Sequence, residues 1–186
     1  MKKFFLTLML FGVTGIAAAQ EEPLRHYSAD LIMITGKTKN TSKVYVENNK
    51  TRSETQQGPL QVVTITRPDE KIVYILLPKQ KLFLEKPFLD ADGLIASLSD
   101  KNTERALVDT ETVKGQRYDK YKIIVRGQIL YLWVNKSTQT PAYLVSSDQQ
   151  MRMEWNNVQA GPQPAELFKP PPDYRKFSSG LGTQSQ

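Results

Sequence analysis

The run Ile72-Val73-Tyr74-Ile75-Leu76-Leu77 has no charged side chain on either face of the strand it would form. Ile129-Leu130-Tyr131-Leu132-Trp133-Val134 and Leu31-Ile32-Met33-Ile34 repeat the pattern. Side chains of a strand alternate between two faces, so an antiparallel sheet with one wet side reads apolar-polar-apolar. Neighbouring segments of this chain do read that way. Met151, Met153 and Trp155 oppose Arg152, Glu154 and Asn156, and Val44 and Val46 oppose Lys43, Tyr45 and Glu47. Strands with two apolar faces need cover on both sides. The chain is thereby restricted to a sheet that curls, closes or is overlaid.

Turn chemistry divides the chain into such strands. Expected strands run from Tyr27 to Gly36, Ser42 to Glu47, Lys50 to Gln56, Leu60 to Arg67, Lys71 to Leu77 and Lys81 to Glu85. Asn48-Asn49, Gly58-Pro59, Pro68-Asp69-Glu70 and Pro78-Lys79-Gln80 punctuate them. After Pro87 the spacing of Leu89, Leu94, Ile95 and Leu98 predicts one helix from Asp90 to Ser99. Asp90 or Asp92 would cap it, and Gly93 would weaken it. Strands resume from Glu104 to Val113, Arg117 to Arg126, Gln128 to Val134, Pro141 to Ser147 and Gln150 to Val158. Proline accumulates from Gly161 onward, and residues 178–186 read as a disordered tail. The expectation is a mainly β protein of about ten short antiparallel strands, joined by tight turns and interrupted by a helix.

A helix of ten residues is about 15 Å long and cannot blanket so wide a sheet. Two arrangements meet the demand for cover. The sheet can curl until its inner face fills itself, with loops and the proline-rich tail outside. Alternatively, part of the apolar face stays open as a groove for an apolar ligand or a partner chain. Met33, Met151 and Met153 suit the second arrangement, because methionine adapts to variable apolar shapes.

The first residues set the compartment. Met1-Lys2-Lys3, the apolar run Phe4 to Ile16 and Ala17-Ala18-Ala19 have the pattern of a cleavable secretory signal, with cleavage after Ala19. Its loss lowers the net charge from +6 to +4 and leaves a soluble mature protein, residues 20–177 forming one domain. No cysteine is present, and His26 is the sole histidine. Thiolate nucleophiles, disulfides and relays of two imidazoles are therefore excluded. No catalytic residues, cofactor or metal are expected. Asp90-Ala91-Asp92-Gly93 has its glycine too early for a calcium loop and Lys101 where the closing carboxylate would stand. The triplets at Asn40, Asn49 and Asn135 read as turn chemistry. The modest basic excess makes nucleic acid an unsuitable partner in an exported protein and anionic head groups a suitable one.

The order of these segments resembles the LolA-like superfamily of periplasmic lipoprotein carriers and sensors. Ala29-Asp30-Leu31 with Gly36 is similar to its opening strand and Lys43-Val44-Tyr45-Val46 to its second. Lys50-Thr51-Arg52-Ser53-Glu54 resembles a K-x-R-x-E strand. The hairpin from Ile65 through Pro78 and the strand Lys81-Leu82-Phe83-Leu84-Glu85 follow in the same order. Leu167-Phe168-Lys169-Pro170-Pro171 with Tyr174 resembles a closing L-F-x-x-P-x-x-Y signature. The similarity spans most of residues 27–177. It implies a strongly curved, unclosed half-barrel with one or two short helices over an apolar concave face that binds acyl chains or lipoproteins. The family's lid arginine would align near Glu47-Asn48, where this chain has none.

These readings converge on a non-catalytic periplasmic binding protein for an acyl-bearing ligand, acting in envelope maintenance or lipoprotein trafficking. The membrane surface or a membrane-associated protein is a further partner. The expected groove lining is Tyr74, Phe83, Leu94, Leu98, Tyr131, Trp133, Met153 and Trp155. The alternative function is an interaction or regulatory protein whose groove engages a protein partner.

Overall fold

The computed structural model describes residues 25–89, 92–100 and 102–177. The expected signal segment and the tail from 178 lie outside them. Six strands follow one another as a meander: β1 (His26–Thr35), β2 (Thr38–Glu47), β3 (Lys50–Gln57), β4 (Leu60–Arg67), β5 (Ile72–Leu77) and β6 (Leu82–Pro87). After the helix α1 (Leu94–Ser99) a second meander comprises β7 (Arg105–Val113), β8 (Gln116–Val125), β9 (Gln128–Asn135), β10 (Pro141–Ser146) and β11 (Met151–Ala160). Antiparallel pairing of β1 with β11 fuses the two into one unclosed sheet of twelve strands, ordered β12-β6-β5-β4-β3-β2-β1-β11-β10-β9-β8-β7. The twelfth, β12 (Arg175–Lys176), runs parallel to β6. The expectation of about ten antiparallel strands missed it, because it is two residues long inside a proline-rich stretch.

The sheet is strongly curved. Pro68 after β4 and Val125 of β8 line one cavity of about 590 Å³ beside α1. Seven strand spacings separate β4 from β8, which on a flat sheet is about 34 Å. Only curling brings them together.

Curvature gives the sheet an inner and an outer face, and each is covered over a different half. Opposite residues of an antiparallel pair share a face, so the registers assign every side chain. On the inner face Tyr27, Ala29 and Leu31 of β1 join Val44 and Val46, Leu130, Leu132 and Val134, Leu144, Met153 and Trp155. Leu98 of α1 packs over this cluster, with Leu94 and Ile95 beside it. On the outer face Val63, Ile65 and Leu76 bury Phe168, which is 1% exposed. Phe168 belongs to a 3₁₀ turn, Ala165–Phe168. Of the one or two short helices expected over the concave face, α1 lies there. The 3₁₀ turn lies on the opposite face, because its apolar partners are the outward residues of β4 and β5.

The helix is also shorter than expected, and Asp92 does not cap it. The Asp92 carboxylate accepts the Leu89 N–H at 2.9 Å and pairs with Lys86 Nζ at 2.6 Å. Gly93 stands at the N-cap position without a side-chain cap bond. A Cβ there would lie 2.8 Å from the Phe88 ring, so glycine is needed for this close approach.

Candidate functional site

One row of side chains crosses six strands of the inner face: Ala29, Val44, Ser53, Thr64, Ile75 and Leu84. Its beginning is sealed, with Ala29 and Val44 buried at the edge of the cluster beneath α1. Its middle is a strip of small hydroxyl side chains, continued by Ser42 and Thr55 in the next row. Its end is apolar and half-buried, where Ile75 and Leu84 are joined by Leu77 and Leu82. Half-buried Met33 and Met151 flank the strip on the β1–β11 side. Small residues between two apolar walls make a trough. Its chemistry suits an apolar chain that needs contact on both sides and makes no ionic demand on the floor.

The helix is held at the sealed end. The Arg105 guanidinium of β7 donates from Nη2 to the Leu98 carbonyl near the end of α1, where unpaired carbonyls favour a cation. Burial lowers the pKa of this partly buried guanidinium. Thr103 Oγ1 donates to the Ser97 carbonyl at 2.5 Å, a second tie on the same turn. At the other end the Lys86–Asp92 pair joins β6 to the segment entering α1. Hydrogen bonding from Lys86 holds the Asp92 carboxyl below its ordinary value.

The eight expected lining residues divide equally between the faces. Met153 and Trp155 lie on the inner face, 1% and 5% exposed, and Leu94 and Leu98 approach them from α1. Tyr74 and Phe83 lie on the outer face beneath the C-terminal segment, their rings edge to face at 6.0 Å. Tyr131 and Trp133 are also outward, with Lys120 Nζ over both rings at 5.5 and 4.7 Å. Trp133 Nε1 donates to Glu111 Oε2 at 3.0 Å. The structure thus brings Leu94, Leu98, Met153 and Trp155 together and separates the other four from them. Ile75, Leu84, Leu77 and Leu82 were missed as trough residues. Counting register across each hairpin from Val44 was the signal that could have found them.

Among the described residues no cluster of His, Cys, Asp or Glu has the makings of a metal site, and no helix is long and apolar enough to cross a membrane. Solved structures resemble this chain to different degrees. An uncharacterized conserved protein from Thermus thermophilus is 15% identical, over 81% of this chain and 88% of that one, with a TM-score of 0.57. The likeness is one of fold. The MucA/MucB complex of Pseudomonas aeruginosa matches at 13% identity over 81% of this chain and 57% of that one, with a TM-score of 0.45. The LolA superfamily protein NE2245 from Nitrosomonas europaea matches at 9% identity over 80% and 91%, with a TM-score of 0.39. No family model matches the chain, and no curated protein matches its sequence.

Proposed function

We propose that this chain is an exported, non-catalytic binding protein that lays an acyl chain of a lipid or lipoprotein along the inner-face trough. The observation that carries the reading is the row from Ala29 to Leu84, which passes from sealed core to half-buried apolar wall across a strip of small side chains. A sheet that filled itself would bury Ile75 and Leu84 as fully as Val44. The motif order that resembles the LolA-like carriers supports the same reading, as does the secretory pattern of residues 1–19.

Transfer of apolar surface drives such binding, at about 0.8 kcal/mol for each buried methylene. Affinity should therefore rise by roughly fourfold per added methylene until the trough is full. The test is a fatty-acid series from eight to eighteen carbons titrated into the Trp133→Phe variant. Trp155, in the inner-face cluster beside the trough's sealed end, is then the only tryptophan that reports. A saturable emission change that strengthens with chain length is expected. Affinity that is independent of chain length, or the absence of any saturable change, would contradict the proposal.

A further inference from the structure

The floor of the trough is polar where a site for hydrocarbon alone would be apolar. Toward the inner face β3 presents Thr51, Ser53 and Thr55, and β4 sets Thr66 and Thr64 opposite the first two. Ser42 of β2 stands opposite Thr55. These side chains form a ladder of hydroxyls. Alternate residues of a strand are about 6.7 Å apart, so the ladder runs about 13 Å along β3. Thr51 and Thr66 are 8% and 3% exposed, and the rest are half-buried. The buried serines and threonines elsewhere among the described residues are hydrogen-bonded. Ser99 Oγ donates to the Ile95 carbonyl at 3.3 Å and Ser146 Oγ to Asp148 Oδ1 at 2.5 Å, and the Thr138 and Thr140 hydroxyls lie 2.7 Å apart. No hydroxyl of the ladder has a hydrogen-bond partner among the described residues.

A hydroxyl taken from water without a partner costs free energy, and valine has the shape of threonine without that cost. Hydrocarbon alone gives the ladder nothing to bond. We propose that the ladder is a subsite for the linkage of an acyl ligand, where its hydroxyls donate to the carbonyl oxygen of a neutral ester or amide. This inference rests on the acyl-binding reading and adds the class of ligand: an acyl chain in ester or amide linkage, in preference to a free fatty acid. Neutral hydroxyls suit a neutral carbonyl, whereas a carboxylate taken out of water needs a cation. Lys86 ends the row through Thr51, Thr66 and Val73, but its ammonium is already held by Asp92 at 2.6 Å. The position of the ladder agrees with this chemistry. A linkage resting over β3 and β4 leaves its hydrocarbon one or two strand spacings, about 5–10 Å, from the wall at Ile75 and Leu84.

The test compares methyl laurate, an alkane of equal length and laurate, each competing with a fluorescent fatty acid for the whole mature protein. The double variant Ser53→Ala with Thr64→Val removes two facing hydroxyls and keeps the packing volume. The ratio of ester to alkane affinity should fall about tenfold in the variant, as the loss of two hydrogen bonds of ordinary strength predicts. The alkane should bind as well or better, laurate should change little, and Tm should hold. Methyl laurate labelled with carbon-13 at its carbonyl should show a lower infrared stretch when bound to the wild-type protein than when bound to the variant. An unchanged affinity ratio, or a stretch that does not differ, would overturn the proposal and leave acyl binding intact. So would weakening of laurate in place of the ester. Should the variant unfold, the wild-type complex decides by itself: a bound stretch equal to that of the ester in hexane overturns the proposal. Failure of all three probes to bind would remove the acyl-binding reading and this subsite with it.

Discussion

Trp133 and Leu132 are neighbours in one strand, yet one faces out and the other in, and that parity decides what each can do. Leu132 pairs with Tyr121 and Leu144 in the inner cluster, whereas Trp133 pairs with Lys120 and Tyr143 outside it. Trp133 is consequently a polar-tipped surface aromatic. Its indole N–H donates to Glu111, and that bond, followed by the Lys120 ammonium at 3.1 Å, holds the Glu111 carboxyl below its ordinary value of 4.5. A folded-state value lowered in this way means a contribution to stability that is present above pH 4.5 and lost as pH falls through the lower value. The Trp133 indole resonance should therefore titrate with a midpoint below 4.5, and Glu111→Gln should flatten it. A midpoint at or above 4.5 would show that the bond does not form in solution. The parity of this strand was illegible in the sequence. Ile129 to Val134 is apolar at every position, so a period of two gives no sign of which face is inner. His26 was illegible for a related reason: its neighbour Glu47, 2.7 Å from Nδ1, is set by the register of β1 on β2.

Elements that read clearly in sequence are those whose turns are signalled locally. The turns at Asn48-Asn49, Gly58-Pro59 and Pro68-Asp69-Glu70 fall where these residues place them. The two sequence signatures that seemed separate, K-x-R-x-E and L-F-x-x-P-x-x-Y, form one structural unit. Arg52 pairs with Glu54 at 2.7 Å and donates from Nη1 to the Leu167 carbonyl at 3.1 Å, and Arg67 donates likewise to Phe168. A link across more than a hundred residues has no local signal, so the proline-rich tail could be expected as an outside cover without any sign of which strands it covers. The helix is the element on which function would turn. It is six residues long, too short to hold by itself, and depends on Leu98 packing and on the Arg105 bond. A hydrogen bond from a charged donor contributes about 1.5–3 kcal/mol. Arg105→Met keeps the apolar stem but loses that bond, so α1 amides should exchange at least tenfold faster while those of β1 and β11 stay unchanged. If all of them accelerate together, α1 is part of the cooperative core and not held separately by Arg105.

At the scale of the whole molecule, each apolar face of the one sheet is covered over only part of its width. The C-terminal segment seals the outer face of β3–β6, and α1 seals the inner face of β1 and β8–β11. What remains on the inner face is the trough from the small residues of β2–β4 to the wall at Ile75 and Leu84. The apolar runs made the need for two-sided cover legible. Which half the tail and the helix each cover was not, since that follows from curvature that only the assembled sheet possesses. An acyl chain lying in this trough must touch its walls, so contact between atoms tests the proposed binding. A complex with uniformly carbon-13-labelled palmitate, in protein with methyl-labelled Ile, Leu and Met, gives intermolecular NOEs that locate the chain. NOEs are expected from the acyl methylenes to Ile75, Leu84, Leu77, Met33 and Met151, and none to Ile65 or Leu76 on the outer face. NOEs to the outer-face methyls, or bound palmitate with no contact to Ile75 and Leu84, would rule out binding in the trough.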